Sequence, residues 1–151
     1  MEDLKQFTID LMNRAPVAYM STVDVEGLPQ VRAVENFRCV KKFPQQAAVL
    51  SDYENDPLTS YLSINTSSRK LRQVENNPVV ALYYSVPEDY RGVMLRGKAV
   101  VHTDLDLKKR LWMDSWTRYY PLGAGDPDFT LLKVKPDWVK SWYRGVHEMR
   151  V

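Results

Sequence analysis

Short runs of β-branched and aromatic residues, separated by Gly, Pro and Asp turns, recur along the chain and predict strands more often than helices. Leu4, Phe7, Leu11 and Met12 stand near helical spacing, so residues 3–13 read as a short amphipathic helix that Pro16 stops. Residues 17–23 and 30–40 flank a turn containing Gly27 and Pro29, which makes a hairpin. Residues 58–65 predict another strand, and 68–76 a short helix ended by Pro78. The run 79–86 is apolar on both faces, as a strand covered on both sides would be. Residues 92–102 form a further strand, with a bulge or bend expected at Gly97. Asp104 caps a long helix expected to run to about Tyr120, where Pro121 breaks it. Two last strands follow at 130–135 and 138–144, divided by Pro136. Residues 41–56, bracketed by Pro44 and Pro57, show no readable period.

About seven strands and three helices result, without the strand–helix alternation of a parallel sheet. The expected class is therefore mainly β (α+β), an antiparallel barrel with peripheral helices. A length of 151 residues fits a single domain, 1–151, and no repeat or linker divides it. The proportions of charged (26%) and apolar (44%) residues are those of a soluble globular chain. The longest apolar stretch, 79–84, is too short for a bilayer, and the first residues lack a basic start followed by an apolar run. A cytoplasmic location is the expectation, with no membrane partner. A formal charge of +2 and the lack of any block of like charge leave no nucleic-acid footprint. The single cysteine, Cys39, can form neither an intrachain disulfide nor a thiolate metal site alone.

One segment breaks a local rule. A helix N-terminus carries partial positive charge, yet the helix opening at Ser67 or Ser68 begins Arg69-Lys70, with Arg72 just beyond and no capping box. A bound anion would reverse the sign of that contact. Free N–H groups, hydroxyls and two cations together suit a phosphate monoester. A solvated basic turn capped by the serines explains the same pattern.

The segment Thr66-Ser67-Ser68-Arg69-Lys70-Leu71-Arg72-Gln73-Val74, followed by Asn77-Pro78 and the strand 79–84, resembles the pyridoxamine 5′-phosphate oxidase superfamily. So does the opening run 18–24 with Gly27, Pro29 and Arg32. Residues 97–101, Leu111-Trp112, Tyr120-Pro121-Leu122-Gly123 and Asp126-Pro127-Asp128 are similar to the general stress protein branch. The likeness spans nearly the whole chain in order. It implies a six- to seven-stranded split β-barrel acting as a homodimer, with flavin mononucleotide (FMN) at the subunit interface. By that resemblance Arg32 would reach the phosphate or flavin edge, and the backbone of Ala33 and Val34 would run along the ring. Asn65 and Thr66 would sit beside the ring and ribityl chain, and Ser67, Ser68, Arg69 and Lys70 at the phosphate. Trp142 matches a family tryptophan that approaches the flavin from the other subunit.

The departures bear on substrate. Asn36-Phe37 stands where the oxidases proper carry a lysine, and Gly92 where they carry a glutamine. The turn before Ser68 is shorter, and no Arg-x-His substrate motif follows Trp142. The chain is thus not expected to oxidise vitamin B6. Trp112, Trp116 and Tyr119 share one face of the expected long helix, for packing or for an indole over the flavin. His102 and His147 have no metal-ligand spacing, and no metal is expected. Asp104 and Asp106 read as helix-start residues, and Asp126-Pro127-Asp128 as a turn. The function implied is an FMN-dependent oxidoreductase that moves hydride or electrons from a reduced nicotinamide to a small acceptor. Its rivals are a non-catalytic FMN store or redox sensor, and a haem- or deazaflavin-binding relative resembling nitroimidazole-resistance proteins.

Overall fold

Asp3 accepts the Lys5 N–H at 3.0 Å and so opens α1 (Leu4–Arg14) in the computed structural model, which describes residues 3–151. The strands β1 (Val17–Val23), β2 (Pro29–Glu35), β3 (Ser60–Asn65), β4 (Val79–Val86), β5 (Arg91–His102), β6 (Phe129–Trp142) and β7 (Val146–Arg150) form one sheet. Its order is β2-β1-β4-β5-β6-β3, with β7 added along the far half of β6, and every pairing is antiparallel. The sheet curls into a half-barrel whose two ends, β2 and β3, approach without a hydrogen-bonded ladder. The barrel is split between them.

Alternation along the strands sends Ala18, Met20, Val80, Leu82, Tyr84, Val93, Leu95 and Val139 inward, where Leu11 and Met12 of α1 cover them. A second cluster lies under α2 (Pro44–Tyr53) and α4 (Leu105–Leu111), built from Phe37, Leu50, Tyr61, Leu111, Trp116, Tyr120 and Phe129. Each such side chain contributes about 1.5–3 kcal/mol on burial. Exposed ion pairs such as Arg110–Asp52 contribute about 0–1 kcal/mol, so packing holds the barrel.

Several sequence expectations are corrected. The helix opened by Asp104 ends at Leu111, because Trp112 leaves helical backbone (ψ 140) to pack its indole against Trp116. A separate 3₁₀ turn, Asp114–Arg118, follows, so Trp112, Trp116 and Tyr119 do not share a helix face. Residues 130–144 are not two strands: β6 is continuous through Pro136, and β7 is an additional strand at the chain end. β2 stops at Glu35 instead of running to residue 40, and α2 occupies the segment that had no readable period. β4 is covered on one side only, with Val79 and Tyr83 exposed on the outer face. The bulge expected at Gly97 is present, as a register shift between Arg96 and Gly97.

Candidate functional site

β3 delivers Asn65 to the loop Thr66-Ser67-Ser68, from which α3 (Arg69–Asn76) rises. The turn Asp126-Pro127-Asp128 straps this loop. Asp128 accepts from Asn65 Nδ2 at 2.7 Å and from the Ser67 N–H at 2.8 Å, while its carbonyl accepts the Thr66 N–H at 2.8 Å. Thr66 Oγ1 donates to the Pro127 carbonyl at 2.8 Å, leaving it to accept from the Thr130 hydroxyl at 2.5 Å. Asp126 builds the turn itself, accepting the N–H groups of Asp128 and Leu122 at 2.9 and 3.0 Å. The Asn65 amide and the Ser67 bonds hold the Asp128 carboxyl below the usual carboxylate range.

Ser68 takes the N-cap position of α3, but its side chain makes no capping bond, and Oγ is buried without a hydrogen-bond partner. The first-turn N–H groups of the helix have no intrahelical acceptor. No acidic residue stands in that turn. Lys70 is partly buried, and among the described residues neither it nor Arg32 forms an ion pair. Burial pushes the Lys70 ammonium down, and the charge of Arg32 pushes it further. Arg32, on β2, donates from Nη1 to the Met20 carbonyl (3.2 Å) and the Thr22 hydroxyl (2.7 Å), and from Nη2 to Gln73 Oε1 (3.1 Å). Gln73 Oε1 also accepts from Thr22 Oγ1 at 2.6 Å, so Arg32 is fixed against α3. Two neighbouring cations, free helix N–H groups and an orphaned hydroxyl fit a phosphate monoester.

Beside this corner a cleft of about 350 Å³ occupies the split of the barrel. Ala33, Val34 and Glu35 of β2 form one wall, Ser63, Ile64 and Asn65 of β3 another. Lys70 also lines the cleft, and Trp116, Tyr119 and Tyr120 supply an aromatic side. β2 pairs only with β1, and β3 only with β6, so each turns an unpaired row of backbone donors and acceptors toward the gap. A flat heterocycle with polar edges can satisfy such rows.

Of the residues picked from sequence, Ala33, Val34, Asn65 and Lys70 line one cleft, with Arg32 fixed alongside and Ser67, Ser68 and Arg69 at the helix start. The Thr66 hydroxyl is committed to the 126–130 turn. Trp112 lies behind the aromatic wall, 5.8 Å from Trp116 and 5.8 Å from Phe129 between ring centroids. Trp142 stands on the outer face of the sheet, edge-on to Tyr83 at 6.0 Å, and does not line this chain's cleft. Gln73, Glu35, Tyr120 and the bracing role of Asp128 were missed from sequence. Gln73, Tyr120 and Asp128 lay within segments that carry the family resemblance, and Glu35 had no such signal.

A separate polar cluster ties α2 to β5 and α4. Tyr53 donates to Asp104 Oδ2 at 2.7 Å, so its oxygen accepts from His102 Nε2 at 2.9 Å. Tyr61 donates to Glu54 at 2.6 Å, and Lys133 pairs with the same carboxylate at 3.3 Å. The Asp104 bond raises the Tyr53 hydroxyl to about 12, while burial and Lys133 lower His102. Among the described residues no three His, Cys, Asp or Glu side chains gather as metal ligands, and no helix is long and apolar enough to cross a membrane.

Known proteins agree with this architecture. Residues 4–143 match the pyridoxamine 5′-phosphate oxidase family model. General stress protein 26 of Bacillus subtilis (strain 168) is 25% identical over 147 residues, covering 95% of this chain and 91% of that protein. The crystal structure of a protein from Clostridium acetobutylicum related to general stress protein 26 superposes with TM-score 0.75 at 25% identity, covering 97% of this chain and 96% of that one. A heme binding protein of Mycobacterium smegmatis shares the fold at TM-score 0.70 and 14% identity, covering 99% of this chain and 59% of that one. With residues 4–143 matched by that family model, the chain belongs to the pyridoxamine 5′-phosphate oxidase family, and its likeness runs to the general stress protein 26 branch.

Proposed function

We propose that the chain binds FMN in the split of the barrel, as a homodimer, and acts as an oxidoreductase passing hydride or electrons from a reduced nicotinamide to a small acceptor. The observation that carries this reading is the corner formed by Ser68, Lys70 and Arg32, where among the described residues a buried hydroxyl has no hydrogen-bond partner and two cations have no ion-pair partner. Ser68 Oγ and the first-turn N–H groups of α3 donate to the phosphate, and Lys70 and Arg69 neutralise it. Arg32, oriented by Gln73 and Thr22, adds charge from below. The backbone edge at Ala33 and Val34 lies along the ring, with Asn65 and Thr66 beside the ring and ribityl chain. When bound, the flavin supplies the hydride chemistry, and the protein supplies binding, orientation and exclusion of water.

The dimer is supported by the outer face of the sheet, where Tyr19, Val31, Val79, Tyr83 and Trp142 are exposed in the single chain. Trp142 of the partner subunit would then approach the flavin. The missing Arg-x-His motif argues against vitamin B6 phosphate as substrate. It also sustains a second reading, an FMN store or redox sensor without turnover. Neither His102 nor His147 lines the cleft, which weighs against a histidine-ligated haem there.

Arg69→Ala with Lys70→Ala should abolish FMN retention while leaving the protein folded. Each charged hydrogen bond lost costs about 1.5–3 kcal/mol, or about one to two decades in Kd. Unchanged FMN affinity in the folded double variant sinks the assignment. The absorption spectrum as purified separates flavin from haem, and NADH or NADPH oxidation by the loaded protein separates enzyme from store.

A further inference from the structure

Away from the cleft, a pocket of about 220 Å³ opens where α1, the loop after β2 and α2 meet. Arg38 lines it, a cation only 7% exposed that forms no ion pair among the described residues. Its Nε and Nη2 donate to the Thr59 carbonyl at 3.0 and 2.6 Å, and Nη2 also donates to the Asp56 carbonyl at 3.2 Å. Nη1 has no hydrogen-bond partner among the described residues, yet it is not one of the polar atoms sealed in protein. It therefore meets the open space of the pocket. The nearby carboxylates are already engaged. Glu54 accepts from the Tyr61 hydroxyl and the Asp56 N–H and pairs with Lys133. Asp56 accepts from the Leu58 N–H and the Thr59 hydroxyl. Burial pushes the Arg38 guanidinium down from its usual range, against the pull of Tyr84, Glu54 and Asp56, and it stays charged.

The rest of the pocket suits a small anion with an apolar body. Asn13 and Ser51 line it, and among the described residues neither side chain makes a hydrogen bond. No acidic residue lines it among those described. Val40, Ala47 and Ala48 supply apolar wall, with Ala47, Ala48 and Ser51 on one face of α2. The frame around Arg38 is fixed. Buried Asn36 donates to the Met12 and Ala15 carbonyls at 2.7 and 2.8 Å and accepts the Arg38 N–H at 3.1 Å. A buried cation without a counter-charge is costly, and a bound carboxylate compensates it. One free guanidinium nitrogen, an amide and a hydroxyl match a single negative charge, whereas a phosphate calls for a second cation. The volume falls below the roughly 300–1,000 Å³ of drug-sized sites, so the ligand is small.

We propose that Arg38 and its pocket form a ligand site of their own, for a short aliphatic monocarboxylate, separate from the cleft between β2 and β3. Arg38 Nη1 donates to the carboxylate, Asn13 and Ser51 complete its hydrogen bonds, and the hydrocarbon lies on Val40, Ala47 and Ala48. The site stands apart from the FMN reading.

The test titrates the full chain with butyrate and with butyramide, its neutral isostere, at neutral pH and fixed ionic strength, by isothermal titration calorimetry. Butyrate should bind at least about tenfold tighter than butyramide, and at least about tenfold tighter than inorganic phosphate. Ala48→Met fills the pocket from an exposed helix position and leaves Arg38 in place. It should weaken butyrate about tenfold while the circular dichroism spectrum is retained. Arg38→Met should erase the preference for butyrate over butyramide. Because Arg38 also holds the 56–59 turn, Ala48→Met decides if that variant fails to fold. No binding of butyrate, equal binding of the two probes, phosphate binding as tight as butyrate, or undiminished butyrate binding in Ala48→Met overturns the proposal. None of these readouts depends on whether FMN binds.

Discussion

The Asp128 carboxylate holds Asn65 and Ser67, so the geometry of the corner proposed for a phosphate depends on it. Asp128→Ala removes the acceptors of Asn65 Nδ2 and of the Ser67 N–H, freeing the loop that presents Ser68. FMN should bind more weakly while the circular dichroism spectrum is retained. A second consequence follows from His102, whose folded form resists protonation because of burial and Lys133. A base with a lowered folded pKa contributes stability that is complete above its unfolded value, near 6.5, and declines as pH falls below it. Thermal unfolding temperature should therefore drop on acidifying through that range. His102→Gln, whose amide can still donate to Tyr53, should flatten that drop. At this scale the sequence was legible where it violated a rule: basic residues at a helix start marked Asn65–Lys70. Glu35 carried no mark, because what a carboxylate at a strand end faces is set by the fold.

Elements were legible where periodicity alone decides them. α1, β1, α3 and β5 lie close to their expected bounds, whereas prolines and aromatics misled elsewhere. Pro136 looked like a strand break, yet β6 runs through it. Pairing of β6 with β3 ends at Val134 and pairing with β7 begins at Trp138, so Pro136 falls where that flank changes neighbours. Its missing N–H breaks no ladder on that side. On the other flank it faces Gly97, where a side chain would run into the Lys135 carbonyl and Pro136 itself. Gly97→Ala should cost about 1–3 kcal/mol by overpacking against backbone, measurable by urea unfolding. The turn into β7 was marked by Gly145 alone. Arg144 and Gly145 both adopt positive φ, as a tight hairpin requires, but arginine is not a residue that favours that backbone. Pro44 likewise suits the first turn of α2, where its lack of an N–H costs nothing.

For the whole molecule, the outer sheet face explains why β4 looked apolar on both sides. On the dimer reading, a second copy covers Val79, Tyr83 and their neighbours. Tyr83→Glu with Val31→Glu should yield monomers by analytical ultracentrifugation and, in the same preparation, reduced FMN retention. A folded dimer of unchanged affinity would place the subunit contact elsewhere. The split between β2 and β3 has a consequence beyond the site. A closed barrel has no free edges, whereas among the described residues β2 and β3 leave two at the split, and exposed edges recruit other strands. If the cofactor lies along those edges, it completes the fold as well as equipping it. Saturation at one hundred times Kd would then add about 2.7 kcal/mol to stability. The amount of this protein that survives in a cell would track the supply of its cofactor, making turnover of the polypeptide itself a gauge of flavin scarcity.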